Sequence, residues 1–560
     1  MDRTMPKSFF LGRKWIWLAL AAGLALCPTP APAQLQIPAS AVSDQEGLEV
    51  VLHQGEMLES ERRWEDAIEH YESALKRHPE WQELRQRLVM VRTHMDIARR
   101  YSDRSFTASL GRLTRDQALD LYSEVLLKID TYHVDAPQWG ELLRRGVLNL
   151  EIASTEPAFV ERFPRPKGPE PGRTFARDVQ GMIDFDRIYS RRQAQDAADS
   201  ITSIAVADLR IVPQAAVLEF ACAAVQSLDH YSAYLTGDQL DEVFAQIEGS
   251  FVGLGIELKA DNNTLLIVNV IPGGPAAEAG IAANDRIIEV DGKTTREVST
   301  DAAADMLKGP ELSYVEIVLQ SPDGTVRRER VQRRRVDVPS VQEVSMADPA
   351  NGIAYMKLTS FQKTTSRDVD RALWSLHRQG MRALIIDVRN NPGGLLNSSV
   401  EIADKFLTSG TIVSTRGRSA REDFDYPAHS VGTWRVPLVV LMDGDSASAA
   451  EIFAGAIRDH GRGTVVGQRS YGKGSVQGIF PLTRYKAGLR LTTAKFYSPS
   501  GRAISHCGID PDVLVAGGSR HMVARPTDQG LIAGTQADPI LQAGLDVARQ
   551  SATYHAGRAQ

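Results

Sequence analysis

Residues 439–477 read VVLMDGDSASAAEIFAGAIRDHGRGTVVGQRSYGKGSVQ. Leu438 to Met442 is a short aliphatic run after Pro437, which predicts a buried strand. Asp443, Gly444 and Asp445 supply turn chemistry. From about Ser448 the period becomes helical: Ile452, Phe453, Ala456 and Ile457 share one face, and Gly461 is a stop signal. Thr464 to Val466 reads as the next strand, and Lys473 follows between Gly472 and Gly474. Strand, turn, helix and strand in succession point to an α/β core.

Ser448 falls at the strand-to-helix corner. Free backbone N–H groups and the helix dipole there favour developing negative charge. A serine hydroxyl becomes a nucleophile when a base takes its proton. Lysine serves only if its ammonium is destabilised. Moving its pKa from about 10.4 to near 7 needs roughly 4–5 kcal/mol, mainly from burial. No acid lies within five residues of Lys473 in the chain, and Gln477, four residues on, carries an amide suited to directing the amine. On spacing alone, Ser448 serves equally as a helix N-cap and Lys473 as a solvated loop residue. Ser446 is a competing hydroxyl.

Gly444-Asp445-Ser446-Ala447-Ser448-Ala449-Ala450-Glu451-Ile452 and Gly472-Lys473-Gly474-Ser475-Val476-Gln477 closely resemble the carboxyl-terminal processing protease family, the tail-specific serine proteases. The resemblance implies a Ser/Lys dyad assisted by a Gln, with Ser448 as nucleophile, Lys473 as base and Gln477 orienting. The family often has serine where this chain has Ala450. Arg389-Asn390-Asn391-Pro392-Gly393-Gly394 resembles the family loop that supplies an oxyanion-hole N–H, from Gly393 or Gly394, partnered by Ala449. That loop lacks the P-loop lysine and the dinucleotide spacing.

Working outward, Phe251 to Leu258, Pro272 to Ile281 and Asp285 to Gly292 form three ordered blocks that resemble a PDZ domain over about residues 246–335. The resemblance implies carboxylate binding by the Gly253-Leu254-Gly255-Ile256 loop and pairing of a peptide along the adjacent strand. A groove helix from Thr300 to Leu307 is expected, with Ala303 and Met306 or Leu307 near the last peptide side chain. Strands at Gly352–Leu358 and Leu384–Val388 flank an amphipathic helix expected at Arg367–Gly380, which opens a protease core over 340–516 similar to the crotonase and Clp-protease spiral. The tail, 517–560, is polar and expected to be peripheral.

Upstream, residues 101–245 read as a helical domain in which Leu119, Tyr122, Val125, Leu126 and Ile129 form one face, with the Tyr122 phenol reaching its edge. Pro157, Pro164, Pro166, Pro169 and Pro171 predict a loop from Glu156 to Arg173. Ser227 to Leu235 resembles the family's lead-in to its binding domain; Asp229 and His230 there suit capping or a satisfied turn. Within 46–100, the spacing of Gly55, Leu58, Ala67, Tyr71, Ala74 and Pro79 matches a tetratricopeptide repeat or a plain helical hairpin. Either offers a docking surface for a protein partner. His460, in the last turn of its helix, suits the dipole.

The chain has 560 residues, 43% hydrophobic and 24% charged, with net charge −6. This fits about three to four globular domains and excludes a basic nucleic-acid binder. Lys7, Arg13 and Lys14 precede an apolar run from Trp15 to Cys27, and Ala31-Pro32-Ala33 offers a cleavage site, so residues 1–33 read as an export signal. That run is too short for a comfortable membrane span, and none longer follows. The mature protein is expected in the periplasm or outside the cell. Cys222 and Cys507 are expected to be buried free thiols. No metal or organic cofactor is expected. The reading is an exported multidomain α/β serine endopeptidase acting on proteins with free C-terminal tails. Its alternatives are a PDZ-bearing adaptor with a degenerate core, a protease held inactive until a partner binds, and a hydrolase of other esters or amides.

Overall fold

The structure, a computed structural model, describes residues 39–164, 168, 170–261, 264–296, 306–516 and 538–558. The expected export signal, Ala303 and most of the polar tail lie outside them. The chain forms two compact units, one ending at Arg92 and one beginning at Thr93.

In the first unit, helices Ala39–Ser60 and Trp64–Arg77 form a hairpin around Ala67, Tyr71 and Ala74. Leu84, Leu88 and Val91, from the first turns of helix Gln82–Ser102, complete its core. A Cβ on Gly55 would stand 2.1 Å from the Tyr71 hydroxyl, so only glycine lets the two helices cross there.

The second unit is built on a six-stranded sheet. Its order is Val341–Asp348, Ile353–Leu358, Ala383–Asp387, Leu438–Met442, Thr464–Gly467 and Val513–Leu514. Only the first strand is antiparallel to its neighbour. Residues 383–387 and 438–442 are apolar almost throughout and buried throughout, because a parallel sheet is covered on both faces. Alternate residues Leu384, Ile386, Val440 and Met442 pack against helices Thr365–Arg378, Leu396–Asp404 and Ala449–Asp459. Ile353, Ile385, Val439 and Leu441 face the other way and pack against Ile540, Ala548 and Ala552 of helix Pro539–Arg558. The end of the chain is therefore not peripheral: its helix covers the second apolar face of the sheet.

A second sheet wraps the core. Its long strand Gly488–Tyr497 pairs with Ser475–Pro481, with Ala233–Leu235 and with Thr411–Gly417. Leu482, Ala487, Leu489 and Leu491 share one apolar cluster with helices Arg115–Tyr132, Trp139–Ala153 and Pro213–Gln226, so the helical region grips the ribbon that follows Lys473. Three expectations fail here. Pro157 and Pro171 do not mark a continuous loop; each opens a helix, Pro157–Val160 and Pro171–Met182, where the missing N–H costs nothing. Tyr122 does not reach an edge: it is fully buried and its hydroxyl has no protein partner. Cys222 is a buried free thiol as expected, but Cys507 is exposed, because it sits in a surface turn between Ile504 and Gly508.

The third sheet runs Ile256–Asp261, Thr264–Val270, Arg286–Val290, Tyr314–Gln320 and Val326–Gln332 around its own core. Ser250–Gly253 pairs with Arg334–Asp337 at its root.

Candidate active site

Ser448 begins helix Ala449–Asp459 with φ 56° and ψ −115°, a left-handed conformation that costs a serine about 1–3 kcal/mol and persists only where its surroundings impose it. The imposing group is Glu451, three residues on, whose carboxylate is fully buried. Its Oε2 accepts from the Ser448 N–H at 2.7 Å and from the Lys473 N–H at 2.9 Å. Its Oε1 accepts from the Ser470 hydroxyl at 2.6 Å and the Gly472 N–H at 2.7 Å. One carboxylate thus ties the glycine-flanked lysine loop to the corner that carries Ser448. Burial pushes the Glu451 carboxyl up, opposed by these same four bonds. The residue was visible in the sequence only as the fourth position of an S-x-x-E capping spacing, with no role assigned.

Lys473 is largely buried, and burial holds its ammonium below the usual lysine range; the Arg490 guanidinium adds to this and Glu451 opposes it. The acid absent from the neighbouring sequence is therefore supplied by Glu451. The Lys473 Nζ lies 5.0 Å from the centroid of the Tyr231 ring. Gln477 follows a β-bulge between Val476 and Gln477, and its amide nitrogen donates to Ser475 Oγ at 2.9 Å.

Ser446 is buried, and its Oγ lies 2.8 Å from the Val388 carbonyl and accepts from the Asp443 N–H at 3.0 Å. It staples the turn to the neighbouring loop and has no free face. That loop carries Gly393, at φ 102°, against the corner: a Cβ there would lie 2.7 Å from Ser448 Cβ and 2.9 Å from the Ala449 nitrogen. The Gly393 N–H donates to Asn391 Oδ1 at 2.8 Å. Among the described residues, the N–H groups of Gly394 and Ala449 have no protein acceptor. Arg389 anchors the loop from below, pairing with Asp387 at 2.6 Å and with Asp538 at 2.8 Å.

Asp229 accepts from the N–H groups of Tyr231 at 2.7 Å and Ser232 at 3.0 Å, and from His133 Nε2 and Thr492 Oγ1, each at 3.0 Å. It is a satisfied turn, as its sequence context suggested. His460 ends its helix and donates from Nε2 to the Thr411 carbonyl at 2.8 Å.

In the third sheet, Leu254 and Gly255 lead into Ile256–Asp261, which among the described residues is an edge strand, the position at which a peptide strand can add. The Leu254 carbonyl is taken by the Ala276 N–H and that of Gly255 by Ile271 N–H. Leu307 is 7% exposed and belongs to the domain core, and Met306 is partly buried beside it. No group of three or more metal-ligating side chains occurs among the described residues.

Comparison with known proteins places these features. The model of peptidase family S41 matches residues 352–515, and that of the PDZ domain matches 242–319. The carboxy-terminal-processing protease of Bartonella bacilliformis is 37% identical over 300 residues, spanning 52% of this chain and 67% of that protein. The carboxyl-terminal-processing protease of Picosynechococcus sp. is 33% identical over 327 residues, spanning 58% of this chain and 76% of that protein. Among solved structures, a photosystem II D1 C-terminal processing protease aligns at 25% identity and a TM-score of 0.38, over 72% of this chain and 94% of that one.

Proposed function

The chain belongs to the carboxyl-terminal-processing proteases of peptidase family S41, and on that premise we propose that it is an exported endopeptidase that cuts tailed proteins with a Ser448/Lys473 dyad. The observation that carries this reading is the Glu451 carboxylate, which bonds the backbone of Ser448 and Lys473 through a single oxygen. Ser448 Oγ attacks the peptide carbonyl, and the neutral Lys473 amine takes its proton and returns it to the leaving amine. The N–H groups of Ala449 and Gly394 are free to receive the oxyanion, whereas that of Gly393 must first leave Asn391. Water then hydrolyses the acyl-enzyme on Ser448.

The PDZ domain captures a terminal carboxylate at Gly253 to Ile256 and aligns the tail along strand Ile256–Asp261. The helical first unit docks a protein partner. The basic and apolar N-terminal segment ending at Ala33 exports the chain. Among the described residues no helix is long and apolar enough to cross a membrane.

The test compares cleavage of an unstructured protein with an apolar C-terminus by wild type, Ser448→Ala and Lys473→Ala, with folding followed by circular dichroism. Both variants fold and lose activity. Retention of cleavage by folded Ser448→Ala sinks the assignment. Peptides with a free apolar carboxylate are cut faster than their amides; equal rates remove the PDZ domain from recognition.

A further inference from the structure

Lys473 does not point into a featureless pocket. Its Nζ lies 5.0 Å from the centroid of the Tyr231 ring, and the backbone that carries that ring is held at both its N–H and its carbonyl. Asp229 accepts the Tyr231 N–H at 2.7 Å, and Arg490 donates from Nε to the Tyr231 carbonyl at 2.9 Å. Asp229 is itself fixed by the Ser232 hydroxyl at 2.7 Å and by His133. Tyr231 lies in the turn between helix Pro213–Gln226 and strand Ala233–Leu235, and Arg490 lies on the strand paired with the latter. The lead-in segment and the ribbon behind the lysine loop thus meet at the amine, more than two hundred residues apart in sequence.

We propose that Tyr231 is a positioning residue for the base, seating the Lys473 ammonium on its ring face as the amine takes the Ser448 proton, while Arg490, bonded to the Tyr231 carbonyl, holds the segment that carries the ring. The inference rests on the dyad reading above. An aromatic face attracts a cation through its quadrupole, most strongly where water is excluded. The ring therefore favours the protonated form, which develops in the transition state. A guanidinium near the amine favours the free base. Together they hold Lys473 between two opposed influences, so its orientation and its proton affinity are set by different residues.

The other groups around the amine are Glu451 from the helix that begins after Ser448, which favours the ammonium, and Tyr471 in the lysine's own loop, which interacts with Tyr231. Asp229 and His133 stand behind Tyr231 and Arg490. The acid-side limb of the kcat/KM–pH profile reads the balance, because protonated Lys473 cannot accept the serine proton.

The signs follow. Removing the ring face destabilises the ammonium, so in Tyr231→Leu the limb moves to lower pH by about half to one unit, and kcat falls about tenfold as the amine loses its seat. Removing the guanidinium stabilises the ammonium, so in Arg490→Gln the limb moves to higher pH by a similar amount. Tyr231→Phe keeps the ring and Arg490→Lys keeps the charge, so both follow the wild-type profile. A residue that only supported the fold would lower activity without moving the two limbs in opposite directions.

The measurement is kcat/KM on a tailed peptide across pH, with folding of each variant checked by circular dichroism and Lys473→Ala as the control. Limbs displaced in opposite directions support the proposal. Limbs that stay put, or move the same way, overturn it. If Arg490→Gln does not fold, Tyr231→Leu decides alone, since an unmoved or alkaline-shifted limb overturns the seat. Cleavage by folded Lys473→Ala refutes the dyad and this inference together, whereas a lysine-dependent enzyme with unmoved limbs refutes the inference alone.

Discussion

Glu451→Gln isolates the contact that joins the two halves of the candidate dyad. The wild-type carboxylate accepts four hydrogen bonds, two on each oxygen. An amide of the same shape has one acceptor oxygen, so its NH2 must face either the Ser448 and Lys473 N–H groups or the Ser470 and Gly472 donors. The Ser470 hydroxyl, which accepts from the Ile509 N–H at 2.7 Å, has a second lone pair for the NH2, but the Gly472 N–H can only donate, so the second orientation still strands it. Losing one charge-assisted bond costs about 1.5–3 kcal/mol, and an unsatisfied buried N–H about 1–3 kcal/mol more. Relief from burying a charge offsets part of this, because burial already pushes the carboxyl up. The net is about 2–4 kcal/mol, expressed as release of the lysine loop from the Ser448 corner. At about 1.4 kcal/mol per tenfold, kcat/KM should fall roughly 30- to 1000-fold. The assay is tailed-peptide cleavage together with hydrogen exchange at the Gly472 and Lys473 amides. A variant within threefold of wild type, with both amides still protected, would refute the clamp.

Three further outcomes follow from the geometry. Gly393→Ala puts a Cβ 2.7 Å from Ser448 Cβ and 2.8 Å from the Ala447 carbonyl, at a φ that disfavours side chains, so cleavage should fall at least about 100-fold while circular dichroism stays that of wild type. Burial raises the Asp229 carboxyl, but bonds from His133, Ser232 and the Tyr231 N–H outweigh it and hold the group well below the usual carboxylate range. Its stabilisation is therefore full above the unfolded value of about 3.9 and lost as pH falls through the folded value. The urea midpoints of wild type and Asp229→Asn should differ most near neutral pH and converge in acid; a pH-independent gap would contradict this. In protein beginning after residue 33, one thiol, that of Cys507, should react with a thiol reagent in the native state, and Cys222 should react only on unfolding.

The sheet was legible because its strands must be apolar on both faces: Leu438 to Met442 admits no other reading at that length. The Ser448 corner was legible for a related reason, since the change of hydrophobic period from strand to helix marks it. The C-terminal helix was not. Ile540, Ala548 and Ala552 recur at multiples of four, but they are mostly small, and such a stripe looks like a surface helix until the uncovered face of the sheet is in view. Tyr231 and Arg490 were hidden because their meeting with Lys473 depends on how the lead-in strand pairs with the ribbon. The register of Gln477 was hidden because the bulge that sets it is invisible in the pattern of apolar residues. Glu451 was within reach, since a carboxylate three residues after a serine at a helix start has one local use, but its hold on Ser470, Gly472 and Lys473 required the fold.

The most direct test of the central claim is mapping the adduct of a serine-reactive active-site probe by mass spectrometry in wild type and in folded Lys473→Ala. The account predicts a single adduct on Ser448 in wild type and none in Lys473→Ala. An adduct on Ser446, or equal labelling of Ser448 without Lys473, would contradict it.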